Sequence, residues 1–445
     1  MSKFLKIYLN ITEKRESLLN SLKIRFVVIV VPITAFGIWL NGCSFGNKQG
    51  VEAEKPPEPV TLYLSSQSII SDNWDELLAN PLKKKYPYIT VEQVKGDVNE
   101  WIAQGKSVDL FATAHVTVGR MVQMDLTEDM TPLLKKHQMA ESRFQPVVLE
   151  AIRNNANGQL VGLPYYLQFF TLYYNKDIFQ TLAVPFPKDG MTWDDTVELA
   201  KKVSRTYGGT SYQGFKTDQV QRLADPFGVT VVNAATNRAS VINEQYKRVF
   251  ELSKQFYSIP GNMPASPKDV SNKALDQFTK DKNLAMYFAV NRFSNLANSN
   301  VNWDMAQAPY YPDKPNVGGI VDSFIIGVTK TSKHQDDAFR VIETFLSDDI
   351  QLLAARKLGV VSPLANPIMQ EQYAADMNSV KDKNLKAIFK NKIIASDPYS
   401  IYRSQGMDEL YDVHGKYIFG EYDTNTALRV LDEQINKKID TIKGK

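Results

Sequence analysis

Hydrophobic positions change their spacing several times along the chain, and each change marks an element. Lys23 and Arg25 precede an apolar stretch from Phe26 to Leu40, interrupted only by Pro32, Thr34 and Gly37. Residues 44–59 carry almost nothing to bury and predict an extended tether. Alternating Val60, Leu62 and Leu64 then predict a strand. Trp74, Leu77, Leu78 and Leu82 share one helical face, with Ser71 or Asp72 placed to cap it. Ile89–Val91 and Val108–Phe111 predict two further strands, and this order suggests an α/β sheet with helices packed on it.

Further along, Asn157-Gly158 supplies the positive backbone angles of a tight hairpin between Ala151-Ile152 and Leu160-Val161. Thr192 is placed to cap a helix with Asp194 and Asp195 in its first turn and Val197, Ala200 and Val203 on one face. Gly208-Gly209 is expected to close that helix. Helical spacing continues through 244–257 and 271–280, and apolar runs at 284–288 and 324–328 predict strands. A helix carrying Ala338, Phe339, Val341, Ile342 and Phe345 follows, and an amphipathic helix built on Ala427, Leu428, Leu431, Ile435 and Ile439 ends the chain.

Composition changes the reading of the first segment most. A positive flank, a short apolar core and small or polar residues together predict a secretory signal. The apolar run of about 15 residues falls short of the roughly 20 that span a bilayer. Cys43 is the only cysteine, which excludes an internal disulfide. Leu40-Asn41-Gly42-Cys43 resembles the lipobox of bacterial lipoproteins, which implies a diacylglycerol on Cys43; an uncleaved anchor is the other reading. Residues 1–43 hold six basic and two acidic side chains, so the remainder carries a net charge of −1 against +3 for the whole chain. The basicity therefore belongs to the leader and argues for no nucleic-acid partner. About 400 residues beyond it favour two domains.

Four stretches carry a wider resemblance. They are Gly162-Leu163-Pro164-Tyr165 running into Leu172-Tyr173-Tyr174-Asn175-Lys176, then Thr192-Trp193-Asp194-Asp195, Asn283-Leu284-Ala285-Met286, and 324–328 with Ser332-Lys333 and Ala338. In order and spacing the chain resembles a carbohydrate-type extracellular solute-binding lipoprotein, the capturing subunit of an ATP-driven (ABC) importer. The resemblance implies two α/β lobes joined by crossing strands, with a ligand cleft and a hinge between them. Mapped here, residues 60–167 and 321–365 form the first lobe, and residues 170–318 and 366–445 the second. It also implies a sugar or related small solute, permease subunits as partners, a membrane contact through the lipid alone, a monomeric chain on the outer face of the membrane, and no cofactor.

Sugar recognition needs polar groups for hydroxyls and aromatic rings for flat C–H faces. The resemblance brings five loops to the cleft, and strand ends in open α/β sheets favour the same places. The candidate residues are Ser66, Gln67, Thr113, His115, Tyr165, Gln168, Phe169, Asp225, Phe227, Asn291 and Arg292. Several have plainer readings. Tyr173 and Tyr174 fit a core strand, Tyr165 and Phe169 fit packing between lobes, and His115 fits an ordinary surface histidine. Arg292 suggests an acidic or modified sugar, since a guanidinium grips a carboxylate with two hydrogen bonds.

An exported carbohydrate hydrolase is the competing class, because two suitably spaced carboxyl groups suffice for it. The acids here sit mostly in caps and charged faces such as Asp194-Asp195 and Asp336-Asp337. No Gly-x-Ser-x-Gly, His-Glu-x-x-His or phosphate-binding glycine loop occurs, and four scattered histidines argue against a metal cluster. A sensor subunit of a membrane signalling system would need the same fold and closure, and nothing in the sequence separates it from transport.

Overall fold

The computed structural model describes residues 57–66, 73–94, 98–270 and 273–444. The expected signal segment, Cys43 and Gln67 lie outside the described residues. In chain order the strands are β1 (Val60–Ser66), β2 (Ile89–Gln93), β3 (Leu110–Ala114), β4 (Leu163–Leu167), β5 (Phe170–Asn175), β6 (Arg205–Tyr207) and β7 (Thr210–Thr217). They continue as β8 (Val232–Asn233), β9 (Arg238–Ala239), β10 (Leu284–Val290), β11 (Trp303–Ala306), β12 (Val317–Ile320), β13 (Ser323–Val328) and β14 (Lys392–Ile394).

Two five-stranded sheets organise the chain, one in the order β2-β1-β3-β13-β4 and the other β11-β5-β10-β7-β6. In the first, β1 runs parallel to β2 and β3, and β13 runs antiparallel to β3 and β4. In the second, β10 is parallel to β7 and antiparallel to β5. Mixed sheets with helices on their faces make this a two-lobe α/β fold, as the sequence pattern suggests.

The chain reaches the first sheet twice. Its strand β13 enters about 150 residues after β4 and takes the place between β3 and β4. Gly327 permits that insertion, because a Cβ there would overlap the Val161 carbonyl and the Phe111 ring. Consecutive strands β4 and β5 belong to different sheets, so Gln168-Phe169 is a crossing point. The short parallel pair of β12 and β14 is another.

The cores separate accordingly. One cluster joins Leu62, Leu64, Phe111, Leu163 and Tyr165 to Ile325, Ile326, Phe339 and Phe345. A second joins Leu172, Trp193, Phe215, Phe250 and Phe288 to Leu410, Leu431 and Ile435 from the C-terminal helices. A third packs Phe169, Tyr173, Phe278 and Trp303 against Tyr373 and Ile388. Burial of this kind contributes about 25 cal/mol for each Å² of apolar surface removed from water, the dominant favourable term in the absence of disulfides.

Local signals hold where one element decides them. Thr192 accepts from the Asp195 amide at 3.1 Å while Asp195 accepts from the Thr192 amide at 2.9 Å, a reciprocal cap on the helix Trp193–Val203. Leu77, Leu78 and Leu82 are buried on one helical face. Two turn readings are corrected. Asn157 and Gly158 have positive φ (52° and 84°), but they end the helix Pro146–Asn154, with the Gly158 amide donating to the Arg153 carbonyl at 2.9 Å. The same left-handed angles that suit a hairpin also suit a helix C-terminus. Gly208-Gly209 turns the hairpin of β6 and β7; the helix before it already ends at Val203.

Candidate functional site

Because β1 and β3 run parallel, their carboxyl ends share one edge of the first sheet. That edge presents Ser65 and Ser66 from β1 and Thr113 from β3, followed by the single turn His115–Thr117 and the helix Val118–Gln123. The segment Tyr399–Gln405 faces them across a cavity of about 530 Å³. Tyr402 packs against the second lobe's core, and Asn233 of β8 bridges to Tyr399. Ser400 Oγ donates to Asn237 Oδ1 at 2.7 Å, and the Tyr399 amide donates to Asn155 Oδ1 at 2.8 Å. The cavity thus lies between lobes, at strand ends, and within the usual volume of small-molecule sites, roughly 300–1,000 Å³.

Its walls suit a polyhydroxylated solute. Ser66, Thr113, Thr117, Gln123, Ser404 and Gln405 offer hydroxyl and amide groups, and Tyr399 and Tyr402 add aromatic rings. No aspartate or glutamate lines it among the described residues.

Behind this cavity lies a buried charge cluster at the lobe junction. The Arg222 guanidinium sits 3.5 Å from Asp218, 3.4 Å from Asp225 and 3.8 Å from Asp322, and its carbon lies 4.8 Å from the centre of the Phe170 ring. Arg292 pairs with the other Asp218 oxygen at 3.1 Å. Burial alone would lower the pKa of Arg222, but the three carboxylates hold it above its ordinary value. Three acids facing two arginines leave one negative charge in excess, and burial pushes the Asp225 carboxyl up to about 6 against the pull of Arg222.

The expected site residues are spread over several places. Ser66 and Thr113 line the cavity, where Thr113 also shares a 2.8 Å hydrogen bond with Thr117. Asp225 and Arg292 belong to the buried cluster, so the carboxylate that Arg292 grips is Asp218 of the same chain. Asn291 caps its own loop, accepting from the Phe293 amide at 3.0 Å. Gln168 accepts from Tyr166 at 2.8 Å and, with Phe169, borders a second cavity of about 90 Å³.

The aromatic candidates face protein. Tyr165 packs on Phe324 and Phe345, Phe169 on Phe293 and Tyr373, and Phe227 on Tyr311 beneath Arg248. Tyr165 and Phe169 are buried within cores and Phe227 is partly buried between Tyr311 and Arg248, so none of the three lines the main cavity. The surface reading of His115 is corrected as well, since the residue is fully buried. Its Nδ1 meets the Ser323 backbone at 3.1–3.2 Å, Tyr399 packs edge-on against the ring, and burial lowers its pKa.

Sequence reasoning reaches His115 but passes over Thr117, the helix Val118–Gln123 and the segment Tyr399–Gln405. One signal was present: Asp397-Pro398-Tyr399-Ser400-Ile401-Tyr402-Arg403-Ser404 mixes aromatic, hydroxyl and cationic residues with no core periodicity.

Residues 67–352 match the family described as bacterial extracellular solute-binding protein. Among curated relatives, the sn-glycerol-3-phosphate-binding periplasmic protein UgpB of Brucella abortus is 24% identical over 190 residues, which is 39% of this chain and 42% of that protein. The match therefore spans less than half of that relative's length. Among solved structures, an ABC substrate-binding protein from Listeria monocytogenes in complex with cycloalternan superposes with a TM-score of 0.68 at 17% identity, covering 86% of this chain and 100% of the other. The sugar-binding protein MalE from Xanthomonas citri gives 0.69 at 17% identity, covering 86% and 98%. At these identities the structural likeness establishes the fold.

The raised Asp225 pKa has a consequence for stability. The unfolded carboxyl titrates near 3.8 and the native one near 6, so the native state holds the extra proton between those values. Native stability conferred by that proton is present below pH 4 and is lost as pH rises toward 6. Urea denaturation of the Asp225→Asn variant should show that decline reduced by roughly 2 kcal/mol relative to the parent across this window. Parallel pH profiles for the two proteins would contradict a raised Asp225.

Proposed function

The chain belongs to the bacterial extracellular solute-binding protein family, and from that premise we propose that it captures a carbohydrate outside the cell for an ABC importer. The observation that carries this reading is the cleft between lobes, walled by strand-end hydroxyls on one side and by Tyr399 and Tyr402 on the other. Each hydroxyl that leaves water must regain a hydrogen bond, which gives such a wall its selectivity. Solute that touches both walls only in the closed arrangement shifts the population toward closure, and the closed shape is what a permease would read.

The function is binding, without turnover. A glycosidase would need two carboxyl groups flanking the scissile bond, roughly 5–9.5 Å apart. The cavity wall has none among the described residues, and the neighbouring Asp225 and Asp322 are both engaged by Arg222. Among the described residues, no group of acids, histidines or cysteines is arranged to hold a metal, and no helix is long and apolar enough to cross a membrane. In this proposal Cys43 bears a diacylglycerol, which satisfies the two-chain requirement for stable anchoring, and residues 44–59 tether a monomeric trap near its permease.

Two measurements test these statements. Thermal unfolding against a panel of oligosaccharides and sugar acids should show a stabilising member, worth about 2.7 kcal/mol at one hundred times its Kd, and chromatography should recover that sugar intact. Cleaved sugar would overturn the binding reading. Separately, growth with a clickable palmitate analogue should label the protein, and Cys43→Ser should abolish the label; labelling that survives the substitution would refute anchoring at Cys43.

A further inference from the structure

Resting on the solute-capture reading, we propose that the captured solute carries an oxyanion, a phosphate ester or a carboxylate, held between Arg120 of one wall and Arg403 of the other. Arg120 lies exposed on the helix Val118–Gln123, and Arg403 is the first residue of the helix Arg403–Ile418. Both line the same cavity, from opposite sides.

Their lack of a carboxylate partner sets them apart. Every other arginine among the described residues has an acid within 4.0 Å, except Arg205, which donates to the Leu182 carbonyl at 2.6 Å. Among the described residues neither Arg120 nor Arg403 has an acid within 4.0 Å; Arg403 lies over the Tyr399 ring, 5.1 Å from its centre, and feels the Asp225 carboxyl only at longer range. The acids nearest in charge, Asp225 and Asp322, stand behind the wall and are drawn to Arg222. His115 adds no positive charge, because it is buried and neutral.

Lobe closure brings two guanidinium groups of like charge toward each other in a narrowing, partly dry space. A neutral sugar leaves that repulsion in place, whereas an oxyanion replaces it with charge-assisted hydrogen bonds to both walls. Arg120 and Arg403 would thus select for the anion and couple its binding to closure. Arg292, the arginine that the sequence singles out, cannot serve this way while Asp218 holds it.

The test uses the full chain and two matched pairs, glucose 6-phosphate with glucose and digalacturonic acid with its neutral dimethyl ester, titrated by calorimetry. An anionic member should bind at least tenfold more tightly than its neutral partner, with the gap shrinking as salt rises. Arg120→Ala and Arg403→Ala, checked for parental melting temperature, should each weaken the anion at least fivefold more than they weaken its neutral partner, whereas equal losses for both partners would overturn the proposal. The phosphate and carboxylate arms tell which anion is preferred. Equal binding of a neutral partner, or no binding of either anion, overturns this proposal, whereas carbohydrate capture falls only if no sugar of the wider thermal panel stabilises the chain.

Discussion

The Arg222 guanidinium, set among Asp218, Asp225 and Asp322, is the interaction on which the lobe junction depends. Asp218, Arg222 and Asp225 follow β7 of the second sheet, whereas Asp322 immediately precedes β13 of the first. Charge pairing therefore joins the two sheets where covalent crossings are few. Removing one partner from such a buried group typically costs about 3–5 kcal/mol, because it strands the other charge away from water. The cluster also holds its acids behind the wall, so that none of them lines the adjacent cleft among the described residues.

That division of labour organises the site. Behind the wall, two arginines and three aspartates pair with one another and fix geometry. At the wall, hydroxyls, amides and two tyrosines face the cavity with cations unpaired. Buried ion pairs behind the wall give rigidity, and the polar groups that reach the cavity are placed to give recognition. The fold makes the separation feasible by bringing the ends of parallel strands against a segment almost 300 residues further along the chain.

Much of the fold was legible because it is decided locally. Alternation at Val60, Leu62 and Leu64, the reciprocal cap of Thr192 and Asp195, and the apolar face of the last helix each depend on a few neighbouring residues. The turns at Asn157-Gly158 and Gly208-Gly209 show the limit, since positive φ serves a helix end and a hairpin equally. The site was less legible for a related reason. Whether an arginine is free depends on which acid the fold brings to it, and the distance from Asp218 to Arg292 in sequence hides their pairing. Likewise, Tyr165 and Phe169 have the chemistry of sugar platforms, and only packing shows that both are buried away from the main cavity.

The central claim is that solute draws the two walls of one cleft together. Asp125 and Asp408 are exposed and lie just beyond those walls in sequence. Cys43 is the chain's only cysteine, so its replacement by Ser permits spin labels at two introduced cysteines, Asp125→Cys and Asp408→Cys. Electron–electron distance measurement between them should give a shorter, narrower distribution once a stabilising sugar is added. A distribution unchanged at saturating sugar would contradict capture by closure.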